Sequence, residues 1–329
     1  MIQVDAPTRL HFGLLHVPAE TTDSPPLRRY GGLGLMLAAP RVTVQVSPAA
    51  EWSGEGPSAA RASSFAQATV GPDTARFHVK VVACPPEHVG LGVGTQLGLA
   101  TAAAVRSALG KTMDDPAELA ASVGRGKRSA IGVYGFRHGG LIIDAGKFPG
   151  AALGTLAGRF DFPLDWPVVL MRPKLDALWY GRREQLAFNR PRIIEWATID
   201  DMCRRMLLGI MPAIVERNYA AFAEHLFEYN RAAGLPFRED QGGVYAGPEL
   251  ERIIETARKS GTPAVGQSSW GPTAFAICES TAAAAELIER IESEFPECET
   301  TLTCADNRGA VLQDDSKQGD GNDIRRQHE

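Results

Sequence analysis

The sequence predicts an α+β fold in two domains, the second of them ferredoxin-like. Three observations predict it. β-Branched runs, glycine-rich turns and helical patterns alternate through the first half of the chain. The character changes at Phe162-Pro163-Leu164-Asp165-Trp166-Pro167, after which helices dominate. A compact β-β-α-β alternation then follows between residues 264 and 305, the pattern of half a ferredoxin-like unit. A length of 329 residues suits two domains of roughly 150 residues each. The expected division is 1–165, 166–313 and a polar, disordered tail over 314–329.

In order, strands are expected at Ile2–Ala6, Arg41–Val46, Phe77–Ala83 and Gly140–Asp144, each a β-branched or apolar run bounded by turn residues. Helices are expected at Ser58–Ala68, Thr95–Leu109 and Pro116–Val123, the last opened by a proline that lacks an N–H to satisfy. Past the change in character, Val168–Met171 reads as a strand and Arg172–Arg192 as polar and irregular. Helices follow at Trp196–Leu208, Pro212–Glu216, Ala220–Asn230 and Pro248–Lys259. The closing alternation is strand Ala264–Gln267, strand Thr273–Cys278, helix Ala282–Glu294 and strand Thr300–Ala305.

Composition removes several classes of function. The net charge of −5 argues against a general nucleic-acid surface. No apolar run approaches the roughly 18 residues of a membrane span, and Met1 to Ala6 reads as a strand, not a signal peptide. Five cysteines, with no Cys-x-x-Cys pair among them, suit a reducing compartment. The expectation is a cytoplasmic homodimer acting on small molecules, with no nucleic-acid or membrane partner.

The most informative stretch is Pro86-Glu87-His88-Val89-Gly90-Leu91-Gly92-Val93-Gly94-Thr95-Gln96. A strand precedes it and an Ala-rich helical pattern follows. Glycines there let the backbone approach a ligand and take up positive φ. The helix start offers free N–H groups and a positive dipole end, which together suit a phosphate or diphosphate. The loop lacks the Gly-Lys-Ser/Thr closure of a Walker motif.

Three further segments carry polar chemistry. Arg9 and His11 alternate with apolar neighbours, so both fall on one face of an extended segment. Arg125, Lys127, Arg128 and Ser129 lie among small residues, where guanidinium groups grip phosphate or carboxylate in pairs and Lys acts as a point charge. Gly266-Gln267-Ser268-Ser269-Trp270-Gly271-Pro272-Thr273 places an amide and small hydroxyls between two strands, a lining suited to an anion. The plain readings are a solvated basic turn for the second segment and an ordinary hairpin for the third.

Taken together, these segments resemble the GHMP superfamily of small-molecule kinases, with Pro86–Thr95 matching its phosphate loop and Val265–Thr273 its second glycine-rich loop. The resemblance implies a ribosomal S5 domain 2-like first domain and a ferredoxin-like second one. Within the superfamily, Arg9–Leu15, His88–Leu97, Arg125–Gly132 and Gly266–Thr273 are most similar to the β-ribofuranosylaminobenzene 5′-phosphate synthases. That family joins 5-phosphoribosyl 1-diphosphate to 4-aminobenzoate with loss of diphosphate and CO2, in the formation of tetrahydromethanopterin. The resemblance implies those two substrates, Mg²⁺ accompanying the diphosphate, and a substrate-binding set of Arg9, Gly90, Gly92, Gly94, Thr95, Gln96, Arg125, Arg128, Ser129, Gly266, Gln267, Ser268 and Ser269. His11, His88 and Lys127 are the candidates for the chemistry, with either histidine open to orienting the amine or moving a proton. The alternative is an ATP-dependent kinase. Against it, Val93-Gly94 stand where kinases carry paired serines, and Ser129–Tyr134 has no carboxylate where many kinases place a base.

Overall fold

A computed structural model describes residues 1–16, 28–71, 73–111, 115–174 and 194–315. Two antiparallel-rich sheets organise the chain. In the first, β1 (Ile2–His16) and β2 (Tyr30–Pro48) pair antiparallel from Ile2 opposite Val46 to His16 opposite Tyr30. β4 (Phe77–Ala83) joins β2, and the short β3 (Ser53–Glu55) runs parallel to β4. β5 (Leu141–Asp144) pairs with the first half of β2, and β6 (Leu156–Phe160) with β5. β11 (Val311–Asp314) returns from the far end of the chain to flank β1.

Alternation explains why the sheet has one buried face. Ile2, Val4 and Ala6 of β1, Val42, Val44 and Val46 of β2, and Phe77, Val79 and Val81 of β4 all point inward. They pack on α2 (Val93–Ala108), whose small residues Ala100, Ala102, Ala103 and Ala104 are fully buried. α1 (Ala59–Val70), α3 (Pro116–Ser122) and α4 (Ile131–His138) surround α2. Asp115 caps α3 by accepting from the Ala117 N–H at 2.7 Å, ahead of Pro116 at the first helical position.

The second sheet has the order β10-β7-β9-β8, antiparallel throughout. Its strands are β7 (Val168–Pro173), β8 (Ala264–Gln267), β9 (Ala274–Ile277) and β10 (Cys298–Thr303). One face carries α8 (Pro248–Lys259) and α9 (Thr281–Glu294), whose Leu250, Ile253, Leu287 and Ile291 meet Val169, Met171 and Ala276. Within the ferredoxin-like unit, Ser280 caps α9 through the Ala283 N–H. The other face receives α7 (Tyr219–Gly234). α7 also touches β1, and the Phe12 and Phe275 rings meet at 5.0 Å, so one apolar core runs continuously between the two sheets.

Several elements exceed their expected bounds. β1 continues ten residues past Ala6, paired along that length with β2, while β11 flanks only Ile2–Asp5. β2 starts eleven residues before Arg41, in a glycine-rich run that is buried and strand-paired in the fold. α4 was not signalled in the sequence, since Gly132 and Gly135 weaken its helical pattern. Gly135 is needed there, as a Cβ would lie 2.1 Å from the Met36 sulfur. α5 (Trp196–Arg205) and α6 (Met211–Val215) are joined by a π-helical turn at Met206–Ile210, closed by Pro212, which has no N–H to give. The Phe162–Pro167 segment is tightly packed, with Phe162 and Trp166 stacked edgewise and both against Phe222. Most of Arg172–Arg192 and of the expected tail lies outside the described residues. Asp314 itself ends β11. No described helix is long and apolar enough to cross a membrane.

Candidate functional site

A cleft of about 610 Å³ opens where the two sheets meet. Four backbone segments build it: the second half of β1, the loop entering α2, the loop entering α4 and the β8–β9 connection. The end of α7 and Tyr245 close its far side.

The loop entering α2 takes three left-handed steps, at His88 (φ 64°), Gly90 (φ 88°) and Gly92 (φ 68°). Gly92 is the N-cap residue of α2, and no side chain caps the helix. The first turn contains no acid, so the positive end of a 16-residue helix faces the cleft uncompensated. Arg9 crosses beneath this loop. Its Nη1 donates to Gly90 O at 2.9 Å and its backbone N–H to Leu91 O at 3.0 Å. A Cβ on Gly92 would lie 2.9 Å from Arg9 Cγ, which accounts for glycine there.

The β8–β9 connection is interlocked with the same loop. A Cβ on Gly271 would stand 2.2 Å from Gly90 Cα, so the two backbones touch. Ser268 Oγ donates to Gly90 O at 2.8 Å and accepts from the His11 N–H at 3.0 Å. Thr273 Oγ1 donates to Val89 O at 2.6 Å. Asn230 of α7 ties in the rest. Its Nδ2 donates to Phe12 O and Gln267 O, and its Oδ1 accepts from the Gln267 N–H at 2.9 Å. A Cβ on Gly266 would collide with that same Oδ1 at 2.2 Å.

Cations dominate the walls. The guanidinium groups of Arg61 and Arg125 both stand over the Phe65 ring, at 5.7 and 5.3 Å from its centroid. Both lie beside Gly94 in the first turn of α2. Arg61 is ion-paired with Glu87, whose carboxylate also accepts from Ser58 Oγ at 3.2 Å. Burial, and then the nearby Arg61 charge, pull the Arg125 pKa below its ordinary value. Its Nε is buried and has no hydrogen-bond partner among the described residues. Arg9, Lys127 and Arg128 add three further cations to the lining, against the single lining carboxylate of Glu87 among the described residues.

His11 is buried, and burial first, then the Arg9 charge, hold its pKa well below the usual imidazole value. Its Nδ1 accepts from the Gly13 N–H at 3.1 Å, and Nε2 stands 3.2 Å from Ser129 Oγ. The loop carrying Ser129 is anchored from behind by Asp144, whose Oδ2 accepts from the Ala130 N–H at 2.7 Å and whose Oδ1 accepts from the Gly146 N–H at 2.8 Å. Burial raises the Asp144 pKa, and those two backbone hydrogen bonds oppose the rise.

Thirteen of the sixteen residues singled out in the sequence line the cleft: Arg9, His11, His88, Gly90, Gly92, Gly94, Thr95, Arg125, Lys127, Arg128, Ser129, Gln267 and Ser269. The structure places the other three behind it. Gln96 is fully buried and its amide donates to Gly132 O at 2.9 Å. Gly266 is packed against Asn230, and Ser268 is bonded to the glycine loop at Gly90 O. Gln267 turns its amide to Ser269 O and the Ala246 N–H. Sequence reasoning missed Arg61 and Asn230, which sit singly on helices with no motif around them, and it passed over Glu87 inside the glycine loop itself. Asp144, expected only as the last residue of a strand, anchors the Ser129 loop.

A two-sheet α+β fold with a glycine loop opening into a helix at the cleft between the sheets is the fold of the GHMP kinases. Residues 210–297 match the family model described as GHMP kinases C terminal. The homoserine kinase of Cytophaga hutchinsonii superposes with a TM-score of 0.70 at 14% identity, over 95% of this chain and 97% of that one. The phosphomevalonate kinase of Streptococcus pneumoniae superposes with a TM-score of 0.67 at 10% identity, over 92% of this chain and 99% of that one. These likenesses are ones of fold. In sequence, the beta-ribofuranosylphenol 5'-phosphate synthase of Methanothermobacter thermautotrophicus is 31% identical over 301 residues, covering 84% of this chain and 88% of its own. The protein of the same name from Archaeoglobus fulgidus is 30% identical over 329 residues, covering 95% and 100%. The chain belongs to the beta-ribofuranosylphenol 5'-phosphate synthase family and is an enzyme of that family.

Proposed function

We propose that the protein joins C1 of 5-phosphoribosyl 1-diphosphate to the carboxyl-bearing carbon of 4-aminobenzoate, releasing diphosphate and CO2, as a step toward tetrahydromethanopterin. The observation that carries this reading is the charge of the cleft. Five cations and an uncapped helix start face one lining carboxylate among the described residues, which itself is paired with Arg61. A substrate with a diphosphate, a 5′-phosphate and a second substrate with a carboxylate would neutralise that excess.

The chemistry asks little of a nucleophile. As the C1–O bond breaks, charge gathers on the diphosphate, and the first N–H groups of α2 with Arg125 would stabilise it. Donors fixed in this way are worth about 3 kcal/mol each at comparable sites. The ring carbon attacks C1, forming the C–C bond, and its C–CO2 bond then breaks to restore aromaticity. Lys127, Arg128 and Arg9 would hold the 5′-phosphate and the carboxylate. A carboxylate gripped too firmly resists leaving, so its contact should weaken as the reaction proceeds. Glu87 and Thr95 offer hard oxygen donors of the kind Mg²⁺ takes, and would hold it together with the diphosphate's own oxygens. When bound, the ion would share the charge of the departing diphosphate.

The name carried by the relatives specifies a phenol, and this favours a second acceptor, 4-hydroxybenzoate, with a hydroxyl in place of the amine. Supplying both acceptors at equal concentration with 5-phosphoribosyl 1-diphosphate, and weighing the products by mass spectrometry, decides between them. A predominant ribosylaminobenzene phosphate supports the first acceptor. A predominant ribosylphenol phosphate replaces it with the second, and no riboside from either overturns the proposal.

A further inference from the structure

His11 occupies a site where its two ring nitrogens have different, fixed tasks. β1 carries a bulge between His11 and Gly13, with Gly13 at φ 136°, and this turns the Gly13 N–H back onto the His11 ring. The contact is a donor approaching Nδ1 at 3.1 Å. Nδ1 must therefore present its lone pair, which excludes both the imidazolium and the Nδ1–H tautomer. The proton of the neutral ring then sits on Nε2, and Nε2–H donates to Ser129 Oγ at 3.2 Å. Ser129 Oγ also accepts from the Ile131 N–H at 3.3 Å. Both lone pairs of the hydroxyl are then engaged, and its one remaining capacity is its own O–H. No described residue accepts that hydrogen, and Ser129 lines the cleft.

We infer that His11 is a positioning residue, a fixed neutral donor that aims the Ser129 hydroxyl proton into the cleft at an anionic oxygen of the ligand. The reading of the ligand as phosphate- and carboxylate-bearing rests on the function proposed above. Several neighbours fix the arrangement. Asp144 holds the Ala130 N–H at 2.7 Å, so the Ser129 loop cannot drift from His11. Ser268 holds the His11 backbone N–H at 3.0 Å, so the ring cannot withdraw. Lys127 and Arg128, just before Ser129, and Arg9, two residues before His11, make the vicinity one where an anion settles. His11 carries no proton to or from the substrate in this scheme.

Two substitutions of His11 separate aiming from proton transfer. In His11→Gln the terminal amide nitrogen reaches the place of Nε2 and still donates to Ser129. In His11→Asn the shorter amide accepts from the Gly13 N–H but reaches no further. The expected result is kcat/KM within about fivefold of the parent for His11→Gln, and a loss of roughly tenfold or more for His11→Asn and Ser129→Ala. Ser129→Thr, which keeps the hydroxyl, should recover most of the loss. Calorimetric titration of Ser129→Ala with inorganic diphosphate, ribose 5-phosphate and 4-aminobenzoate in turn identifies the oxygen by which affinity falls. Two results overturn the inference: equal inactivation by Gln and Asn, or unchanged affinity for all three probes with unchanged kcat/KM in Ser129→Ala. A readout independent of turnover is the nitrogen NMR spectrum of the His11 ring in the unliganded protein. It should show Nε2 protonated and Nδ1 bare between pH 8 and pH 6. If the parent binds none of the probes, the proposed function fails, and a ring protonated at Nδ1 would still refute the aiming role.

Discussion

At Gly92 the backbone is left-handed and Arg9 lies where a Cβ would point. Gly92→Val should therefore abolish turnover while the protein stays folded, because the added side chain displaces Arg9 and covers the helix start. A folded variant with full activity, checked by circular dichroism and a diphosphate-release assay, would make the loop structural only. Arg125 is a different kind of residue. Its charge is disfavoured by burial and by Arg61, so the fold gains little from it. Arg125→Ala should weaken 5-phosphoribosyl 1-diphosphate binding roughly tenfold or more, while its melting temperature holds or rises. A large fall in melting temperature with unchanged affinity would assign it to packing. His11 yields a pH effect. Its folded pKa lies well below the ordinary value near 6.5, so the unfolded chain binds the extra proton first. Its contribution to stability is complete above pH about 6.5 and is lost as the pH falls toward the folded pKa, at a slope on the order of 1 kcal/mol per pH unit. Urea titrations at pH 7.5 and 5.5 should show a smaller drop for His11→Gln than for the parent. An identical drop would place a protonatable ring at this position.

Among elements, the β8–β9 connection and the loop entering α2 act as one piece. Ser268→Ala removes the acceptor of the buried His11 N–H, an unsatisfied donor that costs about 1–3 kcal/mol. Gly90 O keeps its bond from Arg9, so the loss should stop there. Denaturant unfolding that shows no change would mean the two loops are held by shape alone. Legibility in the sequence followed the same division. β4, β8 and α8 were readable because their patterns are local: Phe77, Val79 and Val81 alternate, and Leu250, Ile253, Ile254 and Ala257 recur at helical spacing. The glycine loop was readable for the same reason. The first half of β2 and all of α4 were not, because Gly31, Gly32, Gly34, Gly132 and Gly135 serve close packing that only the assembled sheet creates. β11 had no local signal, since its pairing with β1 spans the chain. Arg61 and Glu87 come from separate elements and meet only in the fold.

For the molecule as a whole, the fold is that of a kinase class and the family is one of synthases. The glycine loop presents Val93 and Gly94, neither of which carries a hydroxyl, at the start of α2. Incubation with ATP and homoserine, mevalonate or galactose should thus give no ADP above background, whereas rapid turnover of any of them would sink the synthase reading. The fate of the carboxylate distinguishes the bonds that could form. With 4-aminobenzoate labelled at its carboxyl carbon, 5-phosphoribosyl 1-diphosphate and Mg²⁺, a bond formed at the carboxyl-bearing carbon must expel that carbon, whereas a bond through the amine retains it and hydrolysis leaves the acceptor untouched. Labelled CO2 and diphosphate should appear in equal amounts, and diphosphate released without labelled CO2 would contradict bond formation at the carboxyl-bearing carbon.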